Sequence, residues 1–139
     1  MTHSWIIKPH GDNVWLFDEA RAQLALEVVN RRVAGIYRQE PLPTMFIFVQ
    51  LLDRREVLQP SGKVLVVSEA LGDCNHETGI IRLVIRKGWQ ATAIHELVHR
   101  YNRGRREAWV RRAAVDVGRL LKQGAIWSEP ANSLPLEAS

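Results

Sequence analysis

Apolar residues along this chain change their spacing several times, and each change predicts an element. Residues 5–8 and 14–17 are short apolar runs joined through Gly11, Asp12 and Asn13, a turn-forming trio, which together predict a hairpin. Asp18 is a helix N-cap residue type. From there to about Arg38 the positions Ala22, Leu26, Val29, Val33 and Ile36 recur at intervals of four and three, the stripe of an amphipathic helix. Pro41 and Pro43 close that helix and open an extended run over residues 44–52, rich in β-formers. A polar stretch at 53–62 reads as a loop, and residues 63–68 as a second short apolar strand. The third strand, 79–86, sets Ile81, Leu83 and Ile85 against Arg82 and Arg86, so one face is wet over part of its length.

Two helices are expected next. Ile94, Leu97, Val98 and Tyr101 give residues 91–101 an apolar face, and Gly104 can take the positive φ that ends a helix. A second run from about Arg105 to Gln123 puts Glu107, Val110, Ala114, Val117 and Leu121 on one buried stripe, while Asp116, one turn from Arg112, reads as a surface ion pair. Residues 125–139 contain two prolines and no periodicity, which predicts an irregular tail with Trp127 docked on the body. The expected fold is α+β: an N-terminal helix on a small, three-stranded, mainly antiparallel sheet, followed by two helices, in one domain over residues 1–124.

Bulk properties narrow the setting. The 139 residues suffice for one real core but not two. Cys74 is the sole cysteine, which excludes an intramolecular disulfide and fits a reducing compartment. The N-terminal apolar run is too short for a signal peptide, and no run approaches the length of a membrane span, so the expectation is a cytoplasmic protein without membrane contact. Charge is lopsided: residues 100–122 carry eight Lys or Arg against Glu107 and Asp116, a local +6, and the remainder sums to −2. Such a patch is either a solvated face or a surface for nucleic acid or an acidic protein, with Arg100, Arg103, Arg105, Arg106, Arg111, Arg112 and Arg119 as its contacts.

The chemistry concentrates in His95, Glu96 and His99, an H-E-x-x-H pattern within the first of the two C-terminal helices. Residues four apart lie one turn above each other, so both imidazoles can face one metal ion with Glu96 beside them. In a zinc hydrolase Glu96 would hold the attacking water and take its proton. No histidine follows His99, so a third ligand must be a carboxylate. Glu107 on the buried stripe is the candidate, because a bare carboxylate there needs a metal or a neighbouring arginine to compensate it. Asp73, Cys74, His76 and Glu77 form a further polar cluster whose Gly, Asp and Asn content reads as a turn. His76 is the replacement ligand should Glu107 not serve, and His76, Tyr101 and Tyr37 are the candidate groups for stabilising a transition state.

His95-Glu-Leu-Val-His99, a short turn, then Glu107-Ala-Trp-Val on a following helix resembles the small gluzincin-type metallopeptidases, including ImmA/IrrE-like and phage-encoded minimal zincin domains. The resemblance implies a zincin-like fold, one Zn²⁺ per chain held by His95, His99 and Glu107, and hydrolysis of a peptide bond in a protein or peptide substrate. It also implies that strand 79–86 lies beside the cleft, where an extended peptide can add as a further strand. The alternative is a zincin-shaped binding module, with metal structural or absent, whose Arg-rich segment 100–122 grips nucleic acid or an acidic protein.

Overall fold

A computed structural model describes residues 4–7 and 15–123; the expected turn at 11–13 and the tail at 125–139 lie outside the described residues. Strands β1 (Ser4–Ile7) and β2 (Trp15–Asp18) pair antiparallel, as their apolar runs lead one to expect. Helix α1 (Glu19–Ile36) begins where Asp18 accepts a hydrogen bond from the Arg21 amide at 3.2 Å. This satisfies one of the orphan amides of the first turn. The buried stripe is Ala22, Leu26, Val29 and Val33, widened by Ala25 and Ala34. Ile36, expected on that stripe, is exposed, because it is the last helical residue and Tyr37 already caps the end.

The fold is α+β, and its sheets depart from expectation in membership. Strands β3 (Met45–Val49), β6 (Gly72–Asn75) and β7 (Ile80–Val84) form a three-stranded sheet in the order β3-β7-β6. The β3–β7 pair is parallel and the β6–β7 pair antiparallel, so the sheet is mixed rather than mainly antiparallel. Residues expected as its second strand instead belong to β5 (Val64–Ala70), which among the described residues pairs only with β4 (Leu52–Leu58) in a separate two-stranded ribbon. That ribbon is the excursion by which the chain crosses from β3 to a parallel β7. Strand β4 occupies most of the stretch that reads as a polar loop. Its middle is Asp-Arg-Arg-Glu, and with Leu52 the one buried residue among those described it has no apolar face to betray a strand. Residues 72–75, which read as a turn, are the third strand.

Strand β7 is therefore central, and the expectation that it forms the open edge beside a cleft is overturned: it is hydrogen-bonded on both sides. Ile81 and Leu83 bury one of its faces completely. On the other face Arg82 is exposed and forks across to Asp73 of β6. Helices α2 (Trp89–Tyr101) and α3 (Glu107–Gln123) complete the core with α1. Phe17, Phe48 and Trp89 meet edge to face, with centroids 4.7, 5.7 and 5.3 Å apart, the geometry that aromatic quadrupoles favour. Among the described residues no helix is long and apolar enough to cross a membrane.

Candidate functional site

Helix α2 carries two faces with different work. Ala93, Ile94, Leu97, Val98 and Tyr101 are buried and fix it against the sheet and α1. His95 and His99 project from its rim, their rings 4.9 Å apart between centroids, and Glu96 lies between them and β6 with only 7% of its surface exposed. The helix ends at Asn102, whose side-chain amide donates to the Val98 carbonyl at 2.9 Å. Gly104, at φ 91°, then turns the chain back. That conformation is open to glycine at little cost.

The turn delivers Glu107 as the first residue of α3. One carboxylate oxygen lies 2.7 Å from His95 Nε2 and the other 2.9 Å from His99 Nε2. One donor atom from each of the three residues falls within 4.8 Å of the others, and no larger cluster of possible ligands occurs among the described residues. The donor set suits a borderline divalent cation such as zinc in type and number. Tetrahedral bonds of about 2.0–2.1 Å imply ligand atoms roughly 3.3 Å apart, so an ion would have to open the contacts of 2.7 and 2.9 Å between Glu107 and the two imidazoles. Glu107 does not sit on a buried stripe as expected: 51% of its side chain is exposed. Val110, Val117 and Leu121 are buried, but extrapolating their spacing to the first helical residue carries it past the packed part of α3, to the rim it shares with the two histidines. Arg111, one turn on, approaches the same carboxylate at 3.7 Å.

Burial and neighbouring charge set the protonation of these groups. Burial would raise Glu107, but the His95 charge and the hydrogen bond and charge of His99 outweigh it and hold the carboxyl below its ordinary range. Burial lowers His95 more than Glu107 raises it, which favours the neutral imidazole. Glu96 is pushed up to about 7, first by burial and then by the negative charges of Glu107 and Asp73. A carboxyl poised near neutrality can both take and return a proton.

Across from α2, strand β6 forms the other wall. A depression of about 280 Å³ lies between Gly72, Asp73, Cys74 and His76 on one side and His95, Glu96, His99 and Glu107 on the other. The approach is close because position 72 is glycine. A Cβ there would stand 2.7 Å from Thr92 Cγ2 and 3.3 Å from Glu96 Cγ. Cys74 turns toward the core, and burial, aided by Glu96, pushes its thiol up to about 11. A second, apolar depression opens on the far side of His95 between α2 and α3, walled by Ile94, Ala114 and Gly118.

Two expected site residues lie elsewhere. The Tyr101 hydroxyl is buried, donates to Asn30 Oδ1 at 2.7 Å and accepts from the Leu42 amide at 2.8 Å, so it ties α2 to α1 and is spent. Tyr37 bonds Asn102 and does not line the depression. His76 does line it, though outside the donor cluster; burial and then the charges of Arg103, Arg100 and His99 lower its pKa. The basic patch also changes composition. Arg100 is committed to the Pro43 and His76 carbonyls at 2.7 and 3.2 Å and is no free surface cation. Arg103, Arg105, Arg106, Arg111, Arg112 and Arg119 are exposed, with Arg105 stacked 4.7 Å over the Trp109 ring. Asp116 pairs with Arg119 at 3.9 Å, where Arg112 was the expected partner.

Sequence reasoning missed Gly72, which reads as one of several turn glycines, and the fold role of Arg100, which reads as one of a run of surface arginines. No family model, curated protein or solved structure matches the chain.

Proposed function

We propose that this chain is a zinc-dependent peptidase with a zincin-like arrangement of helices and sheet, hydrolysing a peptide bond in a protein substrate. The observation that carries the reading is the convergence of His95 Nε2, His99 Nε2 and the Glu107 carboxylate beside a buried Glu96, at the mouth of an open depression. One Zn²⁺ per chain would be held by His95, His99 and Glu107, where it would acidify a water and polarise the scissile carbonyl. Glu96 would take the proton of the attacking water and return it to the leaving amine, a task its buried place beside the two imidazoles suits. Strand β6 would align the substrate. The Leu71 carbonyl accepts from the Val84 amide of β7 at 2.9 Å, so by antiparallel alternation Gly72 and Cys74 turn their main-chain groups to the edge that no described strand pairs with, where an extended peptide can pair.

Zinc content of the purified chain, with Glu96→Gln beside wild type, tests this. About one zinc per chain in both proteins and peptide cleavage only in wild type is the expected result. Cleavage that survives Glu96→Gln, or a chain that retains no zinc, contradicts it.

The six exposed arginines around the α2–α3 turn and along α3 favour a second reading, a module binding nucleic acid or an acidic protein. Salt-dependent retention on duplex DNA, with hydrolysis absent, would select it.

A further inference from the structure

The peptidase reading leaves one role unfilled: a donor facing the carbonyl oxygen as it becomes negative. Hydrolysis generates that charge, and a preorganised donor for it is commonly among the larger contributions to rate. The tyrosines are spent on Asn30, Leu42 and Asn102. Among the other residues lining the depression, Asp73 is held by Arg82 and Cys74 packs toward the core. His76 remains, on the opposite wall from the His95–His99–Glu107 cluster.

The place of His76 is built from two sides. Following it, the Asn75 side chain accepts from the amides of Glu77 and Thr78 at 2.9 and 3.1 Å, and the Gly79 amide donates to the Asn75 carbonyl at 2.9 Å. From α2, Arg100 sends one nitrogen to the His76 carbonyl at 3.2 Å, another to the Pro43 carbonyl at 2.7 Å and its Nε to Thr44 Oγ1 at 3.4 Å. A side chain at position 79 could not coexist with this arrangement. Its Cβ would lie 2.7 Å from the Pro43 oxygen and 3.0 Å from Arg100 Nη2, and the backbone there sits at φ 75°. Arg100 directly follows His99 in the chain. One helix thus carries both a member of the candidate ligand set and the clamp on the opposing wall.

We propose that Arg100 is a positioning residue that fixes the β6–β7 turn, and that His76, so placed, is the group contacting the substrate carbonyl oxygen as it takes on negative charge. This rests on the peptidase reading. A guanidinium suits the clamp because its fork reaches three acceptors at fixed angles, which an ammonium cannot reproduce.

The test uses the zinc-loaded full chain and the variants His76→Ala, Arg100→Gln, Arg100→Lys and His76→Ala/Arg100→Gln. Three quantities are followed: zinc affinity by chelator competition, kcat and KM on a fluorogenic peptide selected from a library, and the His76 ring cross-peak by NMR. His76→Ala is expected to hold zinc affinity within about twofold and to lower kcat by about 100-fold or more, with KM little changed. Arg100→Gln is expected to move the His76 cross-peak and lower kcat in the same way, Arg100→Lys to recover part of the loss, and the double variant to be no worse than His76→Ala. Three results overturn the proposal: a tenfold loss of zinc affinity in His76→Ala, kcat unchanged in that variant, or losses that add in full in the double variant. A wild-type chain that loads no zinc or cleaves nothing removes the peptidase reading, and the His76 contact role with it. The clamp is then judged in the zinc-free protein, where an unmoved His76 cross-peak in both Arg100 variants overturns it. If Arg100→Gln does not fold, the lysine variant carries the same comparison.

Discussion

The two edges of the three-stranded sheet are finished in opposite ways. At the β3 edge, α1 supplies polar side chains to the main chain: Gln23 donates to the Phe46 carbonyl at 2.7 Å, and Asn30 to the Leu42 carbonyl just upstream at 3.0 Å. The Phe46 contact blunts an edge that could otherwise recruit another chain. At the β6 edge there is instead a glycine, a close helix and a depression walled by ionisable groups. The β6 edge is the one bordered by the depression and the buried Glu96, which is why the site is sought there and not at β3.

The largest expected effect comes from spoiling the open edge. Gly72→Val would drive a branched side chain into Thr92 and Glu96, already 2.7 and 3.3 Å from a bare Cβ. Overpacking of this kind costs about 3 kcal/mol, so urea denaturation should show a clear fall in midpoint, and peptide hydrolysis should be lost with it.

Next in size is the pH dependence that Glu96 confers on the zinc-free protein. Its folded pKa, about 7, lies above the ordinary 4.5. Between those values the folded state holds a proton that the unfolded chain has released. Stability therefore falls as pH rises through that window, by about 3 kcal/mol in all. His95, whose pKa is lowered, works in the opposite sense below its ordinary 6.5. The contribution of Glu96 is accordingly read as the difference between wild type and Glu96→Gln, whose denaturation curves should diverge across the window.

The smallest effect belongs to the blunted edge. Gln23→Ala leaves the Phe46 carbonyl without its donor, at a cost of about 1 kcal/mol. Zinc affinity and hydrolysis should be untouched, while strand-mediated self-association, followed by light scattering, should rise. An equal loss of hydrolysis from Gln23→Ala and Gly72→Val would erase the distinction between the edges.

What the sequence made legible follows from where burial is one-sided. The α1 stripe, the α2 face and the pairing of His95 with His99 could be read because helical spacing projects onto one side, and Glu107 could be nominated because the chain offers no later histidine. Its exposure could not be read, because periodicity does not say where a helix stops being covered. Strand β4 was hidden by its run of charge, Asp-Arg-Arg-Glu, and β6 by a composition, Gly-Asp-Cys-Asn, that reads as a turn until β7 pairs with it. Tyr101 has its partners 71 and 59 residues away, in α1 and the segment leading into β3, and Arg100 reaches that segment 56 and 57 residues away and the β6–β7 turn 24 away; no local pattern announces such contacts.

The most direct measurement of the central claim is a crystal of the zinc-loaded chain with anomalous scattering recorded on both sides of the zinc edge. One peak bonded to His95 Nε2, His99 Nε2 and a Glu107 oxygen, with a coordination position open toward β6, is the expected result. A Glu107 side chain turned away with no peak between the imidazoles, or a zinc held by other residues, would contradict it.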